Sequence, residues 1–398
     1  MATALQLMLA MSTVLVFGVV LLIAALISAR AQRGILSTAV LFLMAGVVAG
    51  PGLLDLLSTT PSRRVPSLVA EVALFAVLFT DGMHLTLTQL RSAWRLPGRA
   101  LFIGMPLTLV MIAALAHWVV GLPWPAAWLV GAALSPTDPV FAAALVGADH
   151  VPRRVRELLN IESGANDGLA LPIIATLLAV NGAAQASFGL ALGGAAMGVA
   201  LGVAIAWCAV RLARARWFEV SGPYAPLGVL AIGLVVLGTT SLLHANEFLA
   251  AFAAGVTIAS SSERARLAFA PVGELVSEVL KLGALLIFGA VLTPSLFATL
   301  RMQDYVFAGL VLVVARPAAM VVSLLGSRLE RREIVAVAWF GPKGFASVFF
   351  GFLILEAGVP QAAQVFQLLA LVIALSIVAH SSTDVLVARG FRGTREDT

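Results

Sequence analysis

Charge is what this chain has least of. Of 398 residues, 11% are Asp, Glu, Lys or Arg and 61% are hydrophobic, with a mean hydropathy of +1.02. A soluble domain carries about 25% charged residues, so an ordinary water-soluble fold is excluded. Cysteine is almost missing. The single Cys208 permits no disulfide within the chain and leaves the redox compartment open. Long polar stretches are absent too. No connection is long enough for a soluble domain, and residues 389–398 read as a short cytoplasmic tail. A single transmembrane domain over 1–398 is therefore expected, without an appended regulatory module. The formal charge of +5 does not signal nucleic acid, because the Arg residues are dispersed over seven connections.

Apolar runs are what the chain has most of. They fall at 8–28, 35–50, 67–88, 100–121, 125–147, 155–180, 187–212, 224–243, 246–260, 274–298, 303–325, 333–356 and 361–388. Most reach the roughly 20 residues that cross a hydrocarbon core; those at 35–50 and 246–260 are short. Lipid-facing barrel strands would alternate over about 10 residues, and these runs do not. The expected fold class is an all-α polytopic membrane protein of about thirteen helices. The first run lacks a basic leader and reads as a helix, not a cleaved signal.

Basic residues give the orientation. With the N-terminus outside, nineteen of the 25 Lys and Arg fall in cytoplasmic connections or the tail, and only Arg63, Arg64 and Arg301 fall opposite. Cationic loops stay cytoplasmic, so the N-terminus is expected outside and the C-terminus inside. Lys281, Arg316 and Lys343 lie within segments.

Against that background, three carboxylates stand out within 30 residues. Ser135-Pro136-Thr137-Asp138-Pro139 interrupts the fifth run, and Glu162-Ser163-Gly164-Ala165-Asn166-Asp167-Gly168 lies in the sixth. A charge at bilayer depth costs about 2.5–3.5 kcal/mol on insertion scales. Two prolines around Thr137 and Asp138 should unwind the helix there, which is tolerated only beside protein or a wet cavity. In the sixth run, Ser163 and Asp167 share one helix face and Glu162 and Asn166 the adjacent one. Gly164 and Gly168 should admit a close neighbouring backbone. The twelfth run carries a second interruption, Phe340-Gly341-Pro342-Lys343-Gly344. Broken segments at matching places in two halves point to an inverted-repeat transporter site, here helices 1–6 and 8–13.

Other polar residues read more plainly. Asp81 suits a helix-end charge or an inner ion entrance. Glu71 lies near the outer end of the third run, and Glu247 is expected to face outer water. Glu274, Glu278 and Lys281 are spaced for a local ion pair, and Arg316 needs a carboxylate partner. His117, Trp118, Trp124 and Trp128 form an outer aromatic anchor.

The two interruptions and the Glu-Ser-Gly-Ala-Asn-Asp run, in this order and spacing, resemble the monovalent cation:proton antiporter family of sodium/proton exchangers. The resemblance implies a thirteen-helix inverted-repeat fold with two crossed, discontinuous helices, usually dimeric, in a bacterial plasma membrane. It implies that Asp167 alternately takes a proton or a cation, with Asp138, Thr137, Ser163 and Asn166 at the site. It also implies a structural ion pair between Glu162 and the basic residue of the later motif. That residue is usually Arg in such proteins and is Lys343 here. Asn166 in place of a second Asp resembles the electroneutral branch, although a titrating Lys343 would void that inference.

The mechanism has a physical basis of its own. A carboxylate away from water holds a proton more readily, so proton and cation compete for it. Exclusive occupancy then makes exchange obligatory. The transported species are H+ and Na+ or K+, with Li+ also accepted by such oxygens, and no cofactor is expected. A cation channel using the same carboxylates is the alternative. An intramembrane aspartyl enzyme with Asp138 and Asp167 as its dyad is a remote one, because the prolines crowd it.

Overall fold

The computed structural model describes residues 2–31, 38–51, 53–57, 64–88, 91, 95–138, 145, 151–181, 188–214 and 224–391. Among them, fourteen long helices and no strand are found. In chain order they are α1 Ala2–Ala31, α2 Thr38–Ala49, α3 Arg64–Met83, α4 95–120, α5 Trp124–Leu134, α6 Arg153–Val180 and α7 Phe188–Ala213. They continue as α8 Ala225–Leu242, α9 Glu247–Ser261, α10 Glu263–Val291, α11 302–323, α12 Arg331–Trp339, α13 Phe345–Ala357 and α14 Ala362–Arg389. The expected thirteen become fourteen because the twelfth run is two helices, α12 and α13, separated at 340–344. By length and composition, the described parts of α4, α7, α8, α11 and α14 each suffice to cross a membrane.

The tenth run extends further than its apolar residues suggested. Helix α10 begins at Glu263, because the Ser262 side chain accepts from the Ala265 N–H and caps a polar first turn. Helices α4 and α11 carry wider π turns, at 100–104 and 116–120 in the first and 311–315 in the second. The last of these ends immediately before Arg316. Such turns rotate the next stretch of chain relative to a regular helix and recur at functional positions.

Packing divides the helices into two groups. In one, α2 lies on α10, α3 on α9 and α10, and α7 and α8 on α9; in the other, α4, α5, α6, α11, α12, α13 and α14 pack mainly on each other. Glycine sets how closely the first group approaches. A Cβ on Gly46 or Gly289 would strike the backbone between α2 and α10, and one on Gly82 or Gly255 the backbone between α3 and α9. At one end of the second group, Arg154 holds the buried Glu333 carboxylate at 2.7 Å and ties α6 to α12. The aromatic residues cluster, with His117 stacked on Trp124 at 4.2 Å and Trp118 edge-on to Trp124 at 5.9 Å.

These contacts carry a test. Gly255→Ala forces its methyl against the α3 backbone at Phe79, Gly82 and Met83. Overpacking of this kind costs about 1–3 kcal/mol. Its thermal unfolding midpoint in detergent should fall, whereas Gly228→Ala, with nothing within 4 Å, should leave it unchanged or raised.

Candidate functional site

The two interruptions meet. Helix α5 stops at Leu134 and residues 135–138 continue as non-helical chain; α12 stops at Trp339 and 340–344 do the same. The Asp138 N–H donates to the Pro342 carbonyl at 3.0 Å. The Phe345 N–H donates to Asp138 Oδ2 at 3.2 Å, so this carboxylate caps the start of α13. Gly344 is needed at the crossing, since a Cβ there would overlap the Asp138 side chain. Lys343 turns back across the junction, its Nζ donating to the Pro136 carbonyl at 3.4 Å. Pro139, the second expected breaker, lies outside the described residues.

Helix α6 brings its polar residues against this crossing. Asn166 Nδ2 donates to Thr137 Oγ1 at 2.9 Å, and Ser163 Oγ lies 3.2 Å from the same hydroxyl. Thr137 thus joins the two α6 faces that the spacing separates. Thr137, Asp138, Ser163, Asn166 and Asp167 are all buried. Yet Asp167 Oδ1 and Asn166 Oδ1, both buried, have no hydrogen-bond partner. Oxygens of this kind are costly to leave bare, and the same stretch of α6 brings Ser163 to the Thr137 hydroxyl. Asp138, Asp81 and Lys343 lie within electrostatic range of Asp167.

The structural ion pair is not the expected one. Glu162 is held by Arg316, at 2.8 Å through Nη1 and 3.1 Å through Nη2, and not by Lys343. Both side chains are buried. The planar guanidinium fork matches a carboxylate in a way an ammonium cannot, and the π turn before Arg316 presents it there. Arg316 Nη2 also donates to the Phe340 carbonyl at 3.2 Å, an acceptor freed by the break. Gly341 makes room for this, because a Cβ would overlap the guanidinium.

The remaining candidates divide. Asp81 faces the site: its Cβ would lie 3.7 Å from one added to Gly164, and it is within electrostatic range of Asp138 and Lys281. Lys281 pairs with Glu278 at 3.8 Å, while Glu274 contacts His84, just past the end of α3, at 3.3 Å. Glu71 shares a side-chain hydrogen bond with Glu247, so Glu247 meets protein where water alone was expected. Gly164 and Gly168 receive the Phe252 and Leu249 side chains, not a neighbouring backbone. Sequence reasoning missed Ser376 and His380 of α14. Their signal was a hydroxyl and an imidazole four residues apart within the thirteenth run.

A family model described as sodium/hydrogen exchanger, transmembrane, matches residues 18–388. The chain belongs to this family. It is therefore an integral, multi-pass membrane protein. It is 27% identical to the K(+)/H(+) antiporter NhaP2 of Shewanella baltica, over 92% of this chain and 64% of that protein. It is 28% identical to the K(+)/H(+) antiporter NhaP of Alkalimonas amylolytica, over 95% of this chain and 66% of that protein. The chain thus spans just under two thirds of the length of these relatives. The fold matches the sodium proton antiporter MjNhaP1 from Methanocaldococcus jannaschii with a TM-score of 0.83, at 18% identity, covering 97% of this chain and 100% of that one. The all-α antiporter fold is thereby established.

The Glu162–Arg316 pair makes a specific demand. Breaking a buried pair by removing one partner costs about 3–5 kcal/mol, whereas replacing both partners by apolar residues is often neutral. Glu162→Ala should sharply lower the thermal midpoint in detergent, and the Glu162→Leu, Arg316→Met double variant should recover most of the loss.

Proposed function

We propose that this chain exchanges protons for a monovalent cation across the membrane, with Asp167 as the carboxylate both compete for. The observation that carries this reading is the pair of buried, unpartnered oxygens, Asp167 Oδ1 and Asn166 Oδ1, on the helix whose Ser163 and Asn166 contact Thr137 at the crossing. A hard cation takes oxygen ligands, and a proton satisfies one carboxylate oxygen equally well. In the proton-bound form Asp167 is neutral; in the cation-bound form its charge is offset by the ion. The empty, charged form is the one that burial disfavours, so the loaded forms cross and exchange is coupled. Asp138 contributes its field, its carboxylate being engaged at the start of α13.

The relatives' names supply potassium and the structural neighbour's supplies sodium, so both cations belong to the proposal. With Glu162 matched by Arg316, the pair contributes no net charge. One carboxylate handling one proton against one monovalent ion makes the exchange electroneutral. We further place the N-terminus outside and the C-terminus inside, in a bacterial plasma membrane, with inverted repeats over helices 1–6 and 8–13 of the thirteen-segment scheme and a homodimeric assembly. The meeting of the two interruptions supports the repeat reading. A channel needs no competition between ions, and nothing in the site favours one.

Reconstituted protein should move protons against a pulse of Na+ or K+, at a rate insensitive to an imposed voltage. Asp167→Asn should reduce this to the background of empty vesicles; exchange at the parental rate would defeat the assignment. Thr137→Ala, which removes one neutral ligand worth about 1 kcal/mol, should raise the half-saturating cation concentration about fivefold.

A further inference from the structure

The break between α12 and α13 separates one particular hydrogen-bonding pair. In a continuous helix the Lys343 N–H would donate to the Trp339 carbonyl, four residues earlier. Here the Lys343 N–H donates instead to Ser376 Oγ at 2.7 Å. The Trp339 carbonyl faces His380 Nε2 at 3.0 Å, and also accepts from the Gly341 N–H at 3.0 Å. Ser376 and His380 lie one turn apart on α14 and are joined to each other, with Ser376 Oγ 3.1 Å from His380 Nδ1. Both side chains are buried. One helix thus supplies an acceptor to the donor and a donor to the acceptor that the interruption leaves without each other.

We propose that Ser376 and His380 form a clasp that holds the α12–α13 interruption open, and that His380 is a positioning residue for cation binding at Asp167. The path is short. The clasp fixes Trp339 and Lys343 at the two ends of the linker. Between them lies Pro342, whose carbonyl accepts the Asp138 N–H; Lys343 Nζ reaches the Pro136 carbonyl of the opposing strand. Thr137, which orients Asn166, sits between Pro136 and Asp138. A linker free to rewind toward helix would carry Pro342 and Lys343 away from the residues flanking Thr137.

The chemistry of the ring fits the role. With the ring hydrogen on Nε2 the ring donates to the Trp339 carbonyl, and Nδ1 accepts the Ser376 hydroxyl. Nδ1 also lies 2.8 Å from the Ser376 carbonyl, so a second ring hydrogen finds an acceptor without moving the ring. The ring itself is pinned, with its centroid 5.1 Å from that of Trp339. The Trp339 indole N–H donates in turn to Thr383 Oγ1 on the next turn of α14, at 2.9 Å. A glutamine places an amide donor and an acceptor similarly, whereas leucine provides neither.

The inference rests on the exchange reading, so its test uses a second readout that does not depend on transport. Hydrogen–deuterium exchange of peptides covering 339–345 should be at least tenfold faster in His380→Leu than in the parent, and near parental in His380→Gln. In proteoliposomes, His380→Leu should raise the half-saturating cation concentration at least fivefold with the maximal rate changed less than twofold, and His380→Gln should restore it. Unchanged amide exchange in His380→Leu removes the clasp, whether or not the parent transports. Faster amide exchange with an unaltered half-saturating concentration refutes the positioning role alone. If His380→Leu does not fold, Ser376→Ala takes its place, since it removes the Lys343 acceptor and the hydroxyl at His380 Nδ1 but leaves the ring; unprotected 339–345 amides are expected there, and parental protection overturns the proposal. A parent that exchanges no ions defeats the transport reading and leaves the amide result to decide the clasp.

Discussion

Backbone that leaves a helix inside an apolar bundle must find a partner for every group it exposes. Water cannot reach most of these positions, and each bare amide or carbonyl would cost several kcal/mol. In this protein the two interruptions answer each other's need. Pro342 accepts from Asp138, the Asp138 carboxylate accepts from Phe345, Pro136 accepts from Lys343, and Phe340 accepts from Arg316. The last two donors are cations. Two charged side chains are thus held inside the bundle by carbonyls that helix breakage released, and the crossing is one structure rather than two adjacent kinks.

That arrangement gives two carboxylates on one helix different fates. Glu162 is saturated by a guanidinium fork and cannot easily exchange partners. Asp167, on the same helix α6, is left with an oxygen that no protein group satisfies. Had Lys343 taken Glu162, Arg316 would have been a buried cation without its carboxylate. The observed pairing instead leaves Lys343 at the crossing, within electrostatic range of Asp167 but bonded to backbone. The pair is weak evidence for stability in itself. Its clearer consequence is to confine the unbalanced negative charge to the residues around Asp167.

Much of this was legible in the sequence, because the signals were strong and local. The apolar runs gave the helices, Pro136 and the Gly341-Pro342-Lys343-Gly344 run gave the breaks, and spacing put Ser163 beside Asp167. What could not be read were pairings between helices. Arg316 and Lys343 are both lone basic residues in apolar runs, and nothing local says which one crosses to Glu162. The π turn that aims Arg316 leaves no recognisable mark in Val-Leu-Val-Val-Ala. Glu71 and Glu247 each look like an end-of-helix charge, and only packing of α3 on α9 makes them neighbours. Polarity in the first turns of α10 hid a stretch of helix, from Glu263 onward, that a serine cap sustains.

The glycines show where this architecture is rigid and where it can give. Within the first group of helices the closest approaches are backbone to backbone: Gly46 and Gly289, Gly82 and Gly255, and Gly198 and Gly202 against Asn246 and Ala250. Contacts of that kind leave no atoms free to yield. Between the groups, α6 meets α9 through Phe252 against Gly164 and Leu249 against Gly168, which are side-chain tips over bare backbone. Such tips change rotamer at small cost, so the α6–α9 contact is softer than the backbone contacts within the first group; α3 also packs on α13 across the same boundary. Thr137, Asp138, Ser163, Asn166, Asp167, Lys343, Ser376 and His380 all lie on the α4–α6 and α11–α14 side of it. The field at Asp167 is therefore set in part from across the group boundary, by Asp81 of α3.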